Sequence, residues 1–155
     1  PDVYLDVHLM VNSPMMYIEP FAGAGANMFT AHIEVNDDPL ELADAIHAAG
    51  MDAGLAINPP TEVESILPYI EAFDLILVMS VNPGFSGQAF IPEVLEKVET
   101  VRKQLRPNQR LQMDGGVGLT TCVACRDAGC DVLVAASAIF GTTDYESSIA
   151  ALRGI

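Results

Sequence analysis

The sequence predicts an α/β fold in which parallel strands alternate with helices, a TIM (βα)8 barrel of which this chain supplies about six βα units. Apolar segments start near residues 3, 28, 52, 75, 111 and 131, mostly 20 to 25 residues apart, the length of a βα unit. Most of them follow a Gly or another small residue and then an Asn or Asp, which is typical of a helix C-terminus that turns into a strand. Charged residues make up 18% of the chain, below the roughly 25% of soluble domains, as expected when strands are buried on both faces.

The six predicted strands are these apolar segments, and six predicted helices occupy the amphipathic stretches between them. Pro14, Pro39 and Pro92 fall in the first turns of three helices, where a missing N–H costs no hydrogen bond. The strands cover residues 3–9, 28–33, 53–57, 75–79, 111–114 and 132–135, and the helices cover residues 13–22, 39–49, 62–72, 92–105, 120–128 and 144–152.

This order of elements allows either a doubly wound open sheet or a barrel. A doubly wound sheet that binds a dinucleotide has a Gly-rich fingerprint after its first strand, and residues 8–14 contain none. A complete eight-unit barrel needs at least about 200 residues, more than the 155 here. We therefore expect one domain, residues 1–155, folded as a barrel that lacks its N-terminal units. The 36-residue interval between the fourth and fifth strand starts contains a long loop, which indicates a functional segment.

The charge and hydropathy of the chain argue against two classes of partner. The net charge is −14 with seven Lys and Arg residues, whereas nucleic-acid binding needs a basic surface. No apolar run approaches the roughly 18 residues of a membrane span, and no signal-peptide pattern opens the sequence. We therefore expect no nucleic-acid or membrane partner and a cytoplasmic location. A phosphate site in so acidic a chain must depend on backbone N–H groups and helix N-termini.

Of the cysteines, Cys122 and Cys125 are predicted to be core residues. There are three, an odd number, which argues against a disulfide framework. Cys122 and Cys125 share one face of a predicted helix, and no second ligand pair follows them. Core packing is therefore favoured over a metal or redox site.

Two residues at predicted strand ends are candidates for chemistry. Strand alternation places Asp6, His8 and Met10 on one face of the first strand, with His8 near its carboxyl end. His8 could bind a metal there, or it could be a neutral core histidine hydrogen-bonded to its neighbours. Asp114 ends an apolar strand before Gly115 and must be paired, metal-bound or shifted in pKa if it is buried. The alternative for Asp114 is a turn or a helix cap.

Other residues carry weaker indications. Met10 and Met79 both end strands, so they either fill the core or line one pocket. His32 and Glu34 share a strand face and are interpreted as an interior hydrogen-bonded pair. His47 falls in a predicted helix and is expected at the surface.

Three loops that follow strands could bind a phosphate through backbone N–H groups. They contain Gly84 and Gly87, then Gly115 and Gly116, and finally residues 135–138, which open a short helix. In barrels the phosphate site commonly uses the loops after the last two strands. Together the three loops indicate a phosphorylated substrate.

The motifs in residues 6–11, 78–90 and 114–117 closely resemble those of the ribulose-phosphate 3-epimerase family. They read Asp-Val-His-Leu-Met-Val, Val-Met-Ser-Val-Asn-Pro-Gly-Phe-Ser-Gly-Gln-Ala-Phe and Asp-Gly-Gly-Val, and the Pro-Gly-Phe-x-Gly-Gln loop is highly specific. The resemblance runs in order from Val3 to the C-terminus. It implies a TIM barrel of the ribulose-phosphate-binding type. It also implies that one divalent metal ion (Zn, Fe, Mn or Co) assists the inversion of C3 of D-ribulose 5-phosphate to give D-xylulose 5-phosphate.

The same resemblance implies roles for residues of this chain. His8 and Asp114 would be two of four metal ligands, and Asp114 one of the two carboxylates that move the proton. Ala136 stands where the family usually has Gly. The family's first two strands, which would supply a second His, a second Asp and a Ser, have no counterpart here. Substrate contacts are implied for His8, Met10, Met79, Gly84, Phe85, Ser86, Gly87, Asp114, Gly115, Gly116, Ala136 and Ser137.

Three interpretations of function stay open at this point. The first is a ribulose-phosphate 3-epimerase that acts on a phosphorylated ketose and is a homo-oligomer when full length. The second is a sister epimerase for allulose 6-phosphate, and the third is a non-catalytic phosphate-binding barrel fragment. Because one Asp and one His ligand are missing, we expect the 155-residue chain to be inactive, to bind metal weakly and to expose two sheet edges. Both epimerase interpretations require that His8 and Asp114 converge at one rim of the sheet.

Overall fold

The computed structural model describes residues 3–84 and 87–155, and at its centre is one parallel sheet. Six strands pair in chain order, each with the next. This is the order of a barrel, because a doubly wound sheet reverses direction at a switch point. The strands are β1 (Asp6–His8), β2 (Met28–His32), β3 (Asp52–Ile57), β4 (Leu75–Met79), β5 (Arg110–Asp114) and β6 (Val132–Val134).

The sheet curls, so that strands far apart in its order face each other. Gln112 Nε2 on β5 donates a hydrogen bond to Asp6 Oδ2 on β1 over 2.7 Å, although three strands lie between them. In a flat sheet these strands would be roughly 19 Å apart, which is four spacings of about 4.8 Å. The described sheet is therefore part of a barrel whose first and fifth strands meet across the interior, which confirms the predicted fold class.

Side chains alternate between the two faces of the sheet, as the period of a strand requires. The outer face packs against the helices and belongs to the larger apolar cluster, which includes Phe29, Leu55 and Ile76. Burial on both faces explains the low fraction of charged residues. The inner face carries a smaller apolar cluster of Met28, Ala56, Leu75, Leu77 and Met79.

Helices follow the strands along the described chain. Two of them begin with a capping carboxylate: Asp38 accepts hydrogen bonds from the N–H groups of Leu40 and Glu41, and Asp144 accepts one from Ser147 N–H. The helices are α1 (Ile18–Gly23), α2 (Pro39–Ala48), α3 (Val94–Arg102), α4 (Cys122–Ala128), α5 (Ser137–Phe140) and α6 (Tyr145–Arg153).

The prediction of one α-helix over residues 62–72 is wrong. This segment forms two 3-10 helices, Val63–Ser65 and Leu67–Ala72. Pro68 explains the break, because it has no N–H to donate and its ring excludes the carbonyl four residues earlier. A 3-10 turn is the tighter structure that a short connection of this kind adopts.

Three other elements differ from the prediction by three or more residues at one end, and the remaining elements by at most two. The helix predicted over residues 13–22 starts as a 3-10 segment at Pro14–Tyr17 and becomes α-helical only in α1. The first strand was expected over residues 3–9 and is shorter, because the Asn27 side chain accepts the Leu5 N–H that a longer ladder would use. The end of α3 comes three residues before the predicted position 105.

The core prediction for Cys122 and Cys125 is confirmed. Both are buried in α4, and burial raises the pKa of Cys125 to about 11. Burial likewise raises the pKa of Cys130 to about 12. Thiols with such values stay protonated at neutral pH and are poor nucleophiles and metal ligands.

His47 is exposed, as expected, and its Nε2 lies 2.8 Å from Asp74 Oδ2. Within residues 3–84 and 87–155, every helix is too short or too polar to cross a bilayer.

Candidate active site

A cleft of about 780 Å³ opens at the carboxyl ends of β4, β5 and β6. This is the end at which α/β barrels bind their ligands. Among the residues that the structure describes, no Lys or Arg lines the cleft, so an anion there would meet backbone N–H groups rather than basic side chains. The lining residues are Met10, Met79, Val81, Asn82, Pro83, Gly84, Gly87, Gln88, Asp114, Gly115, Gly116, Val117, Gly118, Val134, Ala136, Ser137 and Ala138.

The cleft brings together most of the residues that the sequence singled out. His8 is not part of its lining but lies beside it, against Asp114. Phe85 and Ser86, also predicted to contact substrate, lie outside the described residues. The predicted residues that line the cleft are Met10, Met79, Gly84, Gly87, Asp114, Gly115, Gly116, Ala136 and Ser137.

His8 and Asp114 are the last residues of β1 and β5, and they converge on the inner face of the sheet. His8 Nδ1 lies 3.6 Å from Asp114 Oδ2, with 16% and 29% of the two side chains exposed. The expected convergence at one rim is thus confirmed. A separation of 3.6 Å is too long for a hydrogen bond.

The distance between these two atoms suits a shared cation. Zinc binds a histidine nitrogen or a carboxylate oxygen at roughly 2.0–2.2 Å, so two ligand atoms 3.6 Å apart can contact the same ion. Within the described ranges, no group of three or more His, Cys, Asp or Glu side chains is arranged to hold a metal. The described residues therefore fit a metal ion as two of its ligands and do not complete its coordination.

His32, on the neighbouring strand, contacts His8 directly, a contact that was not predicted from the sequence. His32 Nε2 lies 2.7 Å from His8 Nε2, and the two rings stack with their centroids 4.9 Å apart. Only 6% of the His32 surface is exposed. A sequence signal existed, because both histidines stand at carboxyl ends of successive parallel strands and so at the same rim.

The predicted pair of His32 and Glu34 is confirmed, with Glu34 Oε2 3.1 Å from His32 Nδ1. Glu34 also accepts hydrogen bonds from the backbone N–H of Asn58 at 2.9 Å and from Thr61 Oγ1 at 2.6 Å. Burial raises the pKa of Glu34, but the hydrogen bonds from His32, Thr61 and Asn58 outweigh it and hold the pKa at about 2. Glu34 is therefore ionised at neutral pH.

Two glycines let the loop after β5 approach the loop after β4 closely. Gly115 has φ 117°, and a Cβ there would lie 2.6 Å from a methyl carbon of Val81. Gly116 has φ 59°, and a Cβ there would lie 2.7 Å from Phe90 N. Ser80 Oγ donates to the carbonyl oxygens of Asp114 and Gly115 at 3.0 and 2.5 Å. The glycines and Ser80 thus hold the floor of the cleft in one conformation.

The departure from the family pattern at Ala136 causes no backbone strain. Ala136 precedes α5 with φ −108°, a value open to any L residue. Ala136 and Ser137 both line the cleft. A methyl group at this position is therefore compatible with the fold.

Methionines line the cleft from two sides of the rim. Met79 ends β4 and is 3% exposed, whereas Met10, beyond the end of β1, is 53% exposed. Both line the pocket, as one of the two interpretations of these residues predicts.

Comparison of the sequence with known proteins identifies the family to which the chain is similar. The model of the "Ribulose-phosphate 3 epimerase family" matches residues 1–140. The cytoplasmic isoform of ribulose-phosphate 3-epimerase from Oryza sativa subsp. japonica is 47% identical over 154 residues, which are 97% of this chain and 67% of the rice protein. The enzyme of that name from Mycobacterium leprae is 43% identical over 155 residues, which are 98% of this chain and 69% of the relative. The chain spans about two thirds of the length of these curated relatives.

Solved structures support the fold independently. KGPDC from Streptococcus mutans superposes with a TM-score of 0.74 at 12% identity, over 99% of this chain and 72% of that protein. The 3-hexulose-6-phosphate synthase from Salmonella typhimurium superposes with a TM-score of 0.69 at 19% identity, over 96% and 72% of the two chains. At these identities the likeness concerns the barrel fold alone.

Proposed function

The chain belongs to the ribulose-phosphate 3-epimerase family, and from that premise we propose that it takes part in the interconversion of D-ribulose 5-phosphate and D-xylulose 5-phosphate with a divalent metal ion. The observation that supports this most is the convergence of His8 and Asp114 at 3.6 Å beside a cleft with Gly-rich walls. An inversion next to a ketone needs a carboxylate to move the proton and a way to stabilise the enediolate that forms.

Asp114 is the carboxylate that moves the proton on one face of the substrate. It lines the cleft and is partly exposed, so a bound ketose can reach it. Inversion requires a second carboxylate on the opposite face, because one group can only exchange the proton on its own side. We propose that this second carboxylate belongs to the part of the family's barrel that the chain does not match.

His8 Nδ1 and Asp114 would hold the divalent ion, which when bound acts as a Lewis acid toward the substrate oxygens. Two further ligands would come from the same unmatched part of the barrel. Met10 and Met79 line the reacting region with thioethers, which cannot ionise and therefore offer no proton to the enediolate.

The phosphate of the substrate would bind to the backbone N–H groups around the cleft. These belong to Gly84 and Gly87, to Gly115 and Gly116, and to Ala136 and Ser137. Because the cleft lacks basic side chains among its described residues, these groups must supply the recognition of the anion. We also expect a cytoplasmic location, which the name of the rice relative states for that isoform.

Two measurements test this proposal. With the complete barrel, D-ribulose 5-phosphate should be epimerised. If neither this substrate nor allulose 6-phosphate is turned over, the epimerase proposal is wrong. Turnover of allulose 6-phosphate alone would identify the sister activity. For the 155-residue chain, titration with Zn²⁺ should show weak binding, and tight one-to-one binding would contradict the assignment of two ligands.

A further inference from the structure

Four polar side chains form a continuous line that ends at the proposed metal ligands. Glu34 Oε2 lies 3.1 Å from His32 Nδ1, His32 Nε2 lies 2.7 Å from His8 Nε2, and His8 Nδ1 lies 3.6 Å from Asp114 Oδ2. We propose that Glu34, acting through His32, fixes the tautomer of His8 so that its Nδ1 lone pair faces Asp114 and is ready for a cation. Glu34 and His32 are then positioning residues, and this inference rests on the proposed function.

The direction of the line follows from the donors and acceptors. An ionised carboxylate only accepts, so Glu34 requires a proton on His32 Nδ1. A neutral His32 then has a lone pair on Nε2, and the 2.7 Å contact requires that His8 Nε2 carry the proton. His8 Nδ1 is left with its lone pair. One proton therefore lies in each of the first two contacts and none lies between His8 and Asp114.

The charge of Glu34 is well supported by its surroundings. Besides His32, the Asn58 N–H and the Thr61 hydroxyl donate to it, and these groups hold its pKa at about 2 against the effect of burial. Three donors directed at one carboxylate stabilise its ionised form over its protonated form. Glu34 therefore enters the line as an acceptor.

A second contact of His32 favours the opposite tautomer. Asn58 Nδ2 lies 3.2 Å from His32 Nδ1 and would donate to it if that nitrogen carried a lone pair. A hydrogen bond to an ionised group is roughly twice as strong as one between neutral groups. The charged Glu34 therefore decides the tautomer, and the amide of Asn58 takes over only when position 34 offers no acceptor.

Lys97 anchors the loop that surrounds Glu34. Its Nζ on α3 donates to the carbonyl oxygens of Asn58, Pro59 and Thr61 at 3.2, 3.0 and 2.5 Å. These three bonds hold the loop after β3 in the conformation in which the Asn58 N–H and the Thr61 hydroxyl reach Glu34. The line from Glu34 to His8 thus has a rigid starting point.

The tautomers can be measured in the metal-free protein by ¹⁵N NMR of the histidine side chains. We expect a proton on Nε2 of His8 and on Nδ1 of His32. In Glu34→Ala the Asn58 amide should reverse both tautomers, whereas Glu34→Gln keeps an acceptor oxygen and should largely retain them. Asn58→Ala and Thr61→Val are the controls, and neither should change the tautomers. A proton on Nδ1 of His8 in the unmodified protein would overturn the proposal without any variant.

The affinity for Zn²⁺, measured by calorimetry, gives the second readout. Loss of a residue that orients a metal-bound histidine typically lowers metal affinity about 10- to 100-fold, and we expect this for Glu34→Ala with partial rescue in Glu34→Gln. If Glu34→Ala leaves both the tautomers and the Zn²⁺ affinity unchanged, Glu34 does not position His8, and the proposed metal site is unaffected by that result. If the unmodified protein shows the expected tautomers but binds no Zn²⁺, the positioning role of Glu34 is supported and the proposed metal function fails.

Discussion

Two adjacent layers of the barrel interior are built from the same two strands and differ in one respect. In the lower layer, Gln112 on β5 donates to Asp6 on β1 over 2.7 Å. In the upper layer, two residues further along each strand, His8 Nδ1 and Asp114 Oδ2 face each other at 3.6 Å without a hydrogen bond. The lower layer pairs a donor with an acceptor and is closed. The upper layer opposes two acceptors and suits a cation.

The comparison distinguishes a layer of the barrel interior that stabilises the fold from a layer that can bind a ligand. A buried polar pair that satisfies itself stabilises the sheet and leaves nothing for a ligand. A pair of acceptors held close together is costly unless something positive joins it. If the layers and the ends of the barrel differ in this way, four experimental results are expected, from the largest effect to the smallest.

The largest effect should come from removing the carboxylate of the upper layer. Asp114→Asn in the complete enzyme should lower turnover about 10²- to 10⁴-fold, because the amide can neither remove a proton nor bind a cation strongly. A coupled assay with D-ribulose 5-phosphate measures the change. The matched control is Asp6→Asn in the lower layer, where an amide can still accept from Gln112. Equal losses in both variants would mean that the two layers do not differ in function.

Alanine substitutions at two glycines with positive φ distinguish the free-energy cost of backbone strain from the cost of close packing. Gly115→Ala at the carboxyl rim adds a methyl group 2.6 Å from Val81 in a backbone with φ 117°. Gly50→Ala, before β3, has φ 82° and no atom within 4 Å of the added methyl. Denaturant unfolding should show a loss of about 1–2 kcal/mol for Gly50→Ala. The loss for Gly115→Ala should be larger by about 1–3 kcal/mol. Similar losses would mean that the rim loop has room to move.

The acid stability of the chain should depend on Glu34. Its folded-state pKa of about 2 lies below the ordinary value of 4.5, so its ionised form stabilises the folded chain fully above about pH 4.5. This contribution is lost as the pH falls from 4.5 toward 2. The free energy of unfolding should therefore fall less steeply with decreasing pH in Glu34→Gln than in the unmodified protein, which denaturant unfolding at several pH values measures. Parallel pH curves for the two proteins would contradict the ionised state assigned to Glu34.

The smallest effect is expected in the lower layer. Gln112→Met keeps the size of a side chain that is 2% exposed and removes its hydrogen bond to Asp6. The free energy of unfolding should fall by about 0.5–1.5 kcal/mol, because Asp6 can exchange this partner for water. Zn²⁺ affinity should stay unchanged, since the upper layer is intact. A large drop in Zn²⁺ affinity would show that the two layers act together.

Much of this molecule is predictable from local sequence patterns. The six strands, their parallel order and the placement of His8 and Asp114 at strand ends follow from apolar segments of the right spacing. The 3-10 segments around Pro68 were missed because amphipathic spacing does not distinguish an α-helix from tighter turns. The contact between His8 and His32 was missed because a sequence shows which residues share a face and not which of them touch.

The sequence alone determined which residues alternate inward and which strand ends carry a carboxylate, an imidazole or a glycine, because these are properties of neighbouring residues with a fixed period. The tertiary structure decided which of them meet. The curl of the sheet brings β1 to β5, and the register of β1 with β2 brings His8 to His32. These distances depend on strand twist and pairing summed over the whole sheet, which no local pattern encodes.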